Sequence, residues 1–373
     1  MRRVVTVSLA AFVVLGMPDG ALGVAWPSIR HDLGLPLSAL GLLLLASLAG
    51  FLLVSSPSGR LARRFGTRQL LLAATGVGAL GLAIVGVSPG LASLVLASFL
   101  IGLAAGGIDP GINAYMALRH GAGLMNLLHA AYGVGAVLGP LLVTALIARQ
   151  LSWRWAYAVL AAAYLGMVLV TCITSGWRPL ADPGEVPGRT PLASPTLWLA
   201  AATFFFCTGL EVGAGAWSFS LLTQSRGLPA AVAGLLVAGY WAAFTGARML
   251  AAVASARFGP GGLLRLSLWL TVGATAAFWW TPFALPLVGF GVAAIFPALV
   301  SLTPSRLGRA GTPSAVGYQH AAAVLGGAVI PALAGVLFQS STIELLGPLL
   351  FGLALVVVAL DLLLGRYSSA MKG

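Results

Sequence analysis

Along this chain, apolar residues do not keep to one face of a helix or alternate along a strand. They fill whole runs of about twenty residues, separated by short stretches of Gly, Pro and Arg. A helix rises about 1.5 Å per residue, so about 20 apolar residues cross the roughly 30 Å hydrocarbon layer of a bilayer. Twelve such runs are present, at 4–27, 37–58, 69–87, 91–118, 122–148, 154–175, 195–222, 230–254, 263–280, 283–305, 313–338 and 343–365. Their length and the lack of two-residue alternation predict transmembrane helices rather than barrel strands.

Composition agrees: 59% of the 373 residues are hydrophobic, 8% are charged and 49 are glycine, outside the balance of a soluble domain. Charge then sets the orientation. With the N-terminus inside, fifteen Arg and Lys residues, among them Arg60, Arg63, Arg64, Arg119, Arg257 and Arg306, face the cytoplasm. Only Arg30, Arg149, Arg154 and Arg226 fall outside, as cytoplasmic retention of positive loops requires. The same scatter over many loops accounts for the net charge of +12 without a nucleic-acid partner. The basic, apolar start continues through Trp26 without a small-residue cleavage site, so it reads as an uncleaved first span. Cys172 and Cys207 both fall within spans and suggest neither a disulfide nor a metal site.

The stretch 176–194, rich in Pro and Gly, is expected to be a cytoplasmic linker between six-helix bundles at 1–175 and 195–373. These halves repeat each other. "SGRLARRFG" at 58–66 matches "ASARFG" at 254–259, and "HAAYGVGAVLGP" from His129 matches "HAAAVLGGAVIP" from His320. "GGIDPGINAYMALRHG" at 106–121 aligns with "AAIFPALVSLTPSRLG" at 293–308. A parallel six-span repeat is the pattern of alternating-access transporters with a site between the halves.

The loop after the second span, Gly59, Arg60, Leu61, Ala62, Arg63, Arg64, Phe65, Gly66, Thr67, Arg68, resembles the signature loop of the major facilitator superfamily. One element differs: the family's acid is replaced by Arg63. The resemblance implies a gating role for Gly59, Arg63, Arg64, Gly66 and Arg68, and it leaves open how the cytoplasmic gate closes without that acid. A narrower resemblance is to the fucose permease branch, carried by Asp19 in "GMPDGALGVAWP", by Asp109 with Asn113 in "IDPGINAY", and by "MNLLHAAYGVGAVLGP". That branch implies proton-coupled sugar uptake, the first-span acid near substrate and the fourth-span acid carrying the proton. "GVGAVLGP" also resembles an antiporter motif of the superfamily, which keeps proton-driven export of amphipathic compounds as an alternative. A solute sensor that does not transport is a third.

A charge inside the membrane costs a few kcal/mol, so each one marks a candidate site. Four stand out: Asp19, Asp109, Glu211 and Arg248. Asp19 lies roughly 22 Å and Asp109 roughly 14 Å along its helix from the cytoplasmic end, so both are near the midplane. Asp109 and Asp19 are the proton-coupling candidates, since a carboxyl group removed from water can bind and release a proton. The alternative for Asp109 is a structural acid bonded to a neighbour, against which its repeat partner Phe296 shows that the fold needs no acid there. Glu211 matches the depth of Asp19 in the other half; either could serve substrate or pair with a basic residue. Arg248, near the cytoplasmic end of its span, is expected to be structural and to snorkel. Candidate substrate contacts are Asp19, Asn113, Glu211, Gln319, the aromatic residues Trp26 and Trp217, and the repeat-matched His129 and His320, although repeat symmetry argues more for inherited packing at the two histidines. No phosphate-loop lysine, metal-ligand spacing or catalytic triad is present. The expectation is therefore a bacterial plasma-membrane transporter, monomeric and without a cofactor, with both termini cytoplasmic. Its partners are the lipid bilayer, a small solute and protons, with sodium as the other coupling ion considered.

Overall fold

The computed structural model describes residues 2–119, 122–178, 194–308 and 312–370. Among them there is no strand, and nearly all belong to helices, which keep every backbone N–H and C=O paired within one segment where no water is available. The chain is all-α. Thirteen helices are seen in the described residues: α1 Arg2–Asp32, α2 Ala39–Ser55, α3 Ser58–Phe65, α4 Thr67–Val87, α5 Leu91–Arg119, α6 Ala122–Ala148, α7 Arg154–Ile173, α8 Pro195–Ser220, α9 Ala230–Trp280, α10 Leu285–Val292, α11 Ile295–Leu307, α12 Thr312–Ser340 and α13 Leu346–Ala370. Eleven segments are long and apolar enough to cross a membrane, or twelve when α2 and α3, bent by 49°, are taken as one span.

The runs at 230–254 and 263–280 are joined in α9 through a break at Gly259, and α10 with α11 covers the run at 283–305. Three helix–helix connections share one device. Gly66, Gly259 and Gly308 have φ of 91°, 67° and 86° with ψ near 150°, a region essentially reserved for glycine. Each follows an arginine and one apolar residue, so the repeated Arg-x-Gly in the sequence marks a repeated turn. Gly121, the fourth, lies outside the described residues, as does most of the expected linker at 176–194.

Two compact units result: Met1–Asp182 with Gly227–Ala238, and Pro183–Arg226 with Gly239–Gly373. The first turns of α9 thus group with the first unit, where Gly234 lies directly against the Thr144 side chain of α6. In the first unit the principal contact is α1 on α6. A side chain at Gly16 or Gly20 would run into the backbone of Tyr132 or Ala136, and one at Gly135 or Gly139 into that of Val13 or Met17. Lipid is as apolar as leucine, so membrane helices associate through such close packing of small residues rather than by hiding apolar surface from water.

Candidate functional site

In the first unit, the α1–α6 contact positions the first acid. Because the two backbones nearly touch, the Tyr132 hydroxyl of α6 reaches the Asp19 carboxylate and donates to Oδ2 at 2.7 Å. Asp19 is nonetheless exposed rather than enclosed by protein. Asp109 of α5 accepts a hydrogen bond at 2.7 Å on Oδ1 from the Asn113 amide, one helical turn on. The helices that carry the two acids, α1 and α5, pack against each other in this unit. The Asn113 carbonyl oxygen is buried and bonded to no protein group, an acceptor left open beside Asp109. Tyr132 is the residue that sequence reasoning missed. It lies in the quoted "HAAYGVG", three residues after His129, but nothing in that string distinguishes an acid's partner from a belt tyrosine.

The second unit holds its charge differently. Glu211 of α8 and Arg248 of α9 form an ion pair, with Oε2 and Nη2 separated by 3.8 Å. The guanidinium lies over the Phe244 ring, 4.2 Å from its centroid, and Nε donates to the Ala293 carbonyl at 3.3 Å. Tyr240 donates to the Glu211 backbone carbonyl at 2.8 Å. Arg248 thus faces an acid, since a cation in a low-dielectric surrounding gains from an opposite charge nearby.

Three expected solute contacts are corrected. Trp26 and Trp217 are wholly enclosed, at 0% exposure, and Gln319 is 2% exposed. Trp217 donates to the Pro331 carbonyl at 3.0 Å and packs edge-on against Phe338, while Gln319 accepts from the Thr303 hydroxyl at 3.0 Å. Trp217 and Gln319 thus tie helices of the second unit together, and none of the three presents appreciable surface in this structure. His129 and His320 are exposed, each with its ring edge-on to a phenylalanine, Phe12 at 5.9 Å and Phe296 at 6.4 Å. Phe296, which occupies the repeat position of Asp109, also packs on Phe204 at 4.8 Å. Aromatic packing thus fills in one unit the place that a carboxylate occupies in the other.

In the loop after α2, Arg68 donates through Nε to the Thr171 carbonyl at 3.2 Å and through Nη2 to the Cys172 carbonyl. It caps the C-terminus of α7, where unpaired carbonyls and the helix dipole favour a cation. Arg64 lies over Phe65, Gly66 supplies the turn, and Arg63 is exposed, with Gly59 one turn earlier in α3. The count of four intramembrane charges also passed over Asp361. This acid on α13 is 8% exposed and takes Arg306 of α11 at 2.7 Å. Among the described residues, no group of His, Cys, Asp and Glu is placed to hold a metal.

The sequence profile of the Major Facilitator Superfamily matches residues 8–312, well over half of the chain. The chain belongs to this superfamily. It is accordingly a multi-pass membrane transporter of small solutes and not an enzyme. Among curated relatives, this superfamily member is 25% identical to Bypass of stop codon protein 6 of Saccharomyces cerevisiae, over 98% of this chain and 82% of the yeast protein. It is 24% identical to the Sodium-dependent glucose transporter 1A of Mus musculus, over 88% of each. Among solved structures, the fold is shared with the nucleoside transporter NupG in its D323A form, with a TM-score of 0.77, 14% identity and coverage of 96% and 98%. It is also shared with the fucose:proton symporter FucP of E. coli in its N162A form, with a TM-score of 0.62, 14% identity and coverage of 95% and 97%.

Proposed function

We propose that this superfamily member is a proton-coupled importer of a sugar or similar small polar solute, working by alternating access in the bacterial plasma membrane with both termini cytoplasmic. The observation that carries this reading is the pair of hydrogen-bonded acids in the first unit, Asp19 held by Tyr132 and Asp109 held by Asn113. An intramembrane carboxylate that is exposed and hydrogen-bonded by a tyrosine can accept sugar hydroxyls, and a second acid, one step away and shielded by an amide, can carry the proton. Two like charges in one low-dielectric bundle disfavour each other, which gives a physical route by which proton and solute occupancy can be linked. Glucose in the name of the mouse relative and fucose with a proton in that of the E. coli structure support the solute class. The bundles at 1–175 and 195–373 act as the two moving halves of a monomer, and the arginine-rich loop from Gly59 to Arg68 contributes to the cytoplasmic gate. Two glycines of "GVGAVLGP", Gly135 and Gly139, serve the close α1–α6 contact, a packing role that needs no export function.

The test is transport in liposomes loaded with a pH-sensitive dye. D-Glucose, L-fucose, D-xylose and D-glucuronate are added in turn under an imposed proton or sodium gradient. Solute-dependent proton entry together with uphill accumulation is the expected result. Accumulation that follows only the sodium gradient would replace the proton by sodium, and inhibition of dye efflux without any accumulation would favour export.

A further inference from the structure

The cations of this chain are held in two ways. Arg226 donates to both Glu344 oxygens and to the carbonyls of Phe278 and Trp279, and Arg154 takes the carbonyls of Gly86 and Ser88. Arg306 closes on Asp361 at 2.7 Å. Each of these makes direct hydrogen bonds of 2.7–3.4 Å to acceptors elsewhere in the fold, although one terminal nitrogen of Arg306 is buried without a described partner. Arg248 is different. Its Nε is fixed on Ala293 and its face lies on Phe244, yet its nearest acid, Glu211, stands at 3.8 Å, well beyond the 2.7–2.9 Å typical of a charge-assisted hydrogen bond. Neither terminal nitrogen of Arg248 makes a hydrogen bond to a described residue, nor does the Glu211 carboxylate accept one. The arginine side chain keeps 29% exposure although it lies in a membrane span.

A guanidinium oriented through its Nε and its face, with its two terminal nitrogens unfilled, is a preorganised fork for a planar anion. The loose neighbouring carboxylate offsets the cost of the unoccupied cation without saturating it. We infer that Arg248 is a recognition group for a carboxylate on the solute, with Glu211 as the resident anion that the solute carboxylate displaces. This inference rests on the importer reading and narrows its solute to a small polar acid such as a sugar acid. It assigns the reading of charge to Arg248 of the second unit.

D-Glucuronate and D-glucose are suitable probes, since they share a ring and most hydroxyls and differ by one carboxylate. Binding to the purified full-length protein is measured by thermal shift and by equilibrium titration. We expect glucuronate to bind at least about tenfold tighter than glucose, a difference of the size that one charge-assisted bond supplies. Arg248→Lys keeps the charge and the pairing with Glu211 but loses the fork, and should lose about tenfold or more of glucuronate affinity. Glu211→Gln removes the competitor and should bind glucuronate several-fold tighter, whereas a purely structural pair would be weakened by the same change. A readout free of variants is labelling by phenylglyoxal with peptide mass spectrometry, in which glucuronate but not glucose protects Arg248. Equal binding of the two probes by the parent, equal glucuronate affinity in parent and Arg248→Lys, or loss of glucuronate binding in Glu211→Gln overturns the inference. Glucose accumulated under a proton gradient without glucuronate binding overturns it while leaving the importer reading intact. Glucuronate that is bound but moved by no gradient overturns the importer reading alone.

Discussion

Replacing Asp109 by Asn separates the charge of this side chain from its shape. The Asn113 amide that donates to Asp109 Oδ1 at 2.7 Å finds an equivalent carbonyl acceptor in the variant, so the bond survives as a neutral one. A hydrogen bond to a charged group contributes about 1.5–3 kcal/mol and a neutral one about 0.5–1.5, so the bond itself weakens by about 1–1.5 kcal/mol. Against this, a carboxylate near the centre of a span costs about 2.5–3.5 kcal/mol to insert, most of which the neutral amide avoids. The two effects leave the variant no less stable than the parent, and by about 1–2 kcal/mol more stable if Asp109 is ionised in the parent. Function should divide sharply. Asparagine cannot change charge, so the variant should exchange labelled for unlabelled solute across a liposome membrane at a rate near that of the parent. Under an imposed proton gradient it should accumulate none. The assay is counterflow and gradient-driven uptake on the same liposome preparation, with the thermal midpoint measured in detergent. Uphill uptake at the parental level would show that Asp109 is not the proton carrier. A fall of several degrees in the midpoint would show that it is a structural acid, and the carrier would then be sought at Asp19 or Glu211.

Tyr132→Phe removes a bond to a carboxylate and leaves the glycine contact of α1 and α6 untouched, so solute affinity should fall by roughly 1.5–3 kcal/mol, or about 10- to 150-fold, with little change in midpoint; unaltered affinity in the same titration would remove Tyr132 from the site. Gly139→Val places a branched side chain where the Met17 carbonyl lies, and should abolish recovery of monodisperse protein in size-exclusion chromatography. Gly166→Ala on α7, which meets nothing within 4 Å, should be tolerated in the same assay. Gly308→Ala forces a side chain onto φ 86°, ψ 147° and should cost about 1–3 kcal/mol of stability, read as a lower thermal midpoint; an unchanged midpoint would mean that the turn relaxes. Arg306→Ala strands Asp361 and should cost about 3–5 kcal/mol, whereas the double change Arg306→Met with Asp361→Leu should recover most of it; equal loss in single and double variants would show that packing, not charge, is at stake.

Membrane insertion, the number of spans and the positions of Asp19, Asp109 and Glu211 within them were legible in the sequence, because each depends on the length and composition of one continuous run. The Arg-x-Gly strings stood in the sequence, but the turn they share emerged only with the backbone found at Gly66, Gly259 and Gly308, which glycine alone adopts readily. What could not be read was which face of each helix turns inward. In water, apolarity marks the buried face; in lipid, both faces are apolar, and Ile173 at 82% exposure is no less hydrophobic than Ile29 at 0%. Trp26 and Trp217 therefore read as site aromatics until the packing enclosed them, and Asp361 read as part of an unbroken greasy run until Arg306 was found beside it. The partnerships that decide chemistry were likewise settled only by the tertiary structure, with Tyr132 on Asp19 across 113 residues and Arg248 turned toward Glu211. Each is selected by the cost of leaving a charge alone in a low-dielectric interior, and that cost acts on the neighbours the fold supplies, not on those adjacent in sequence.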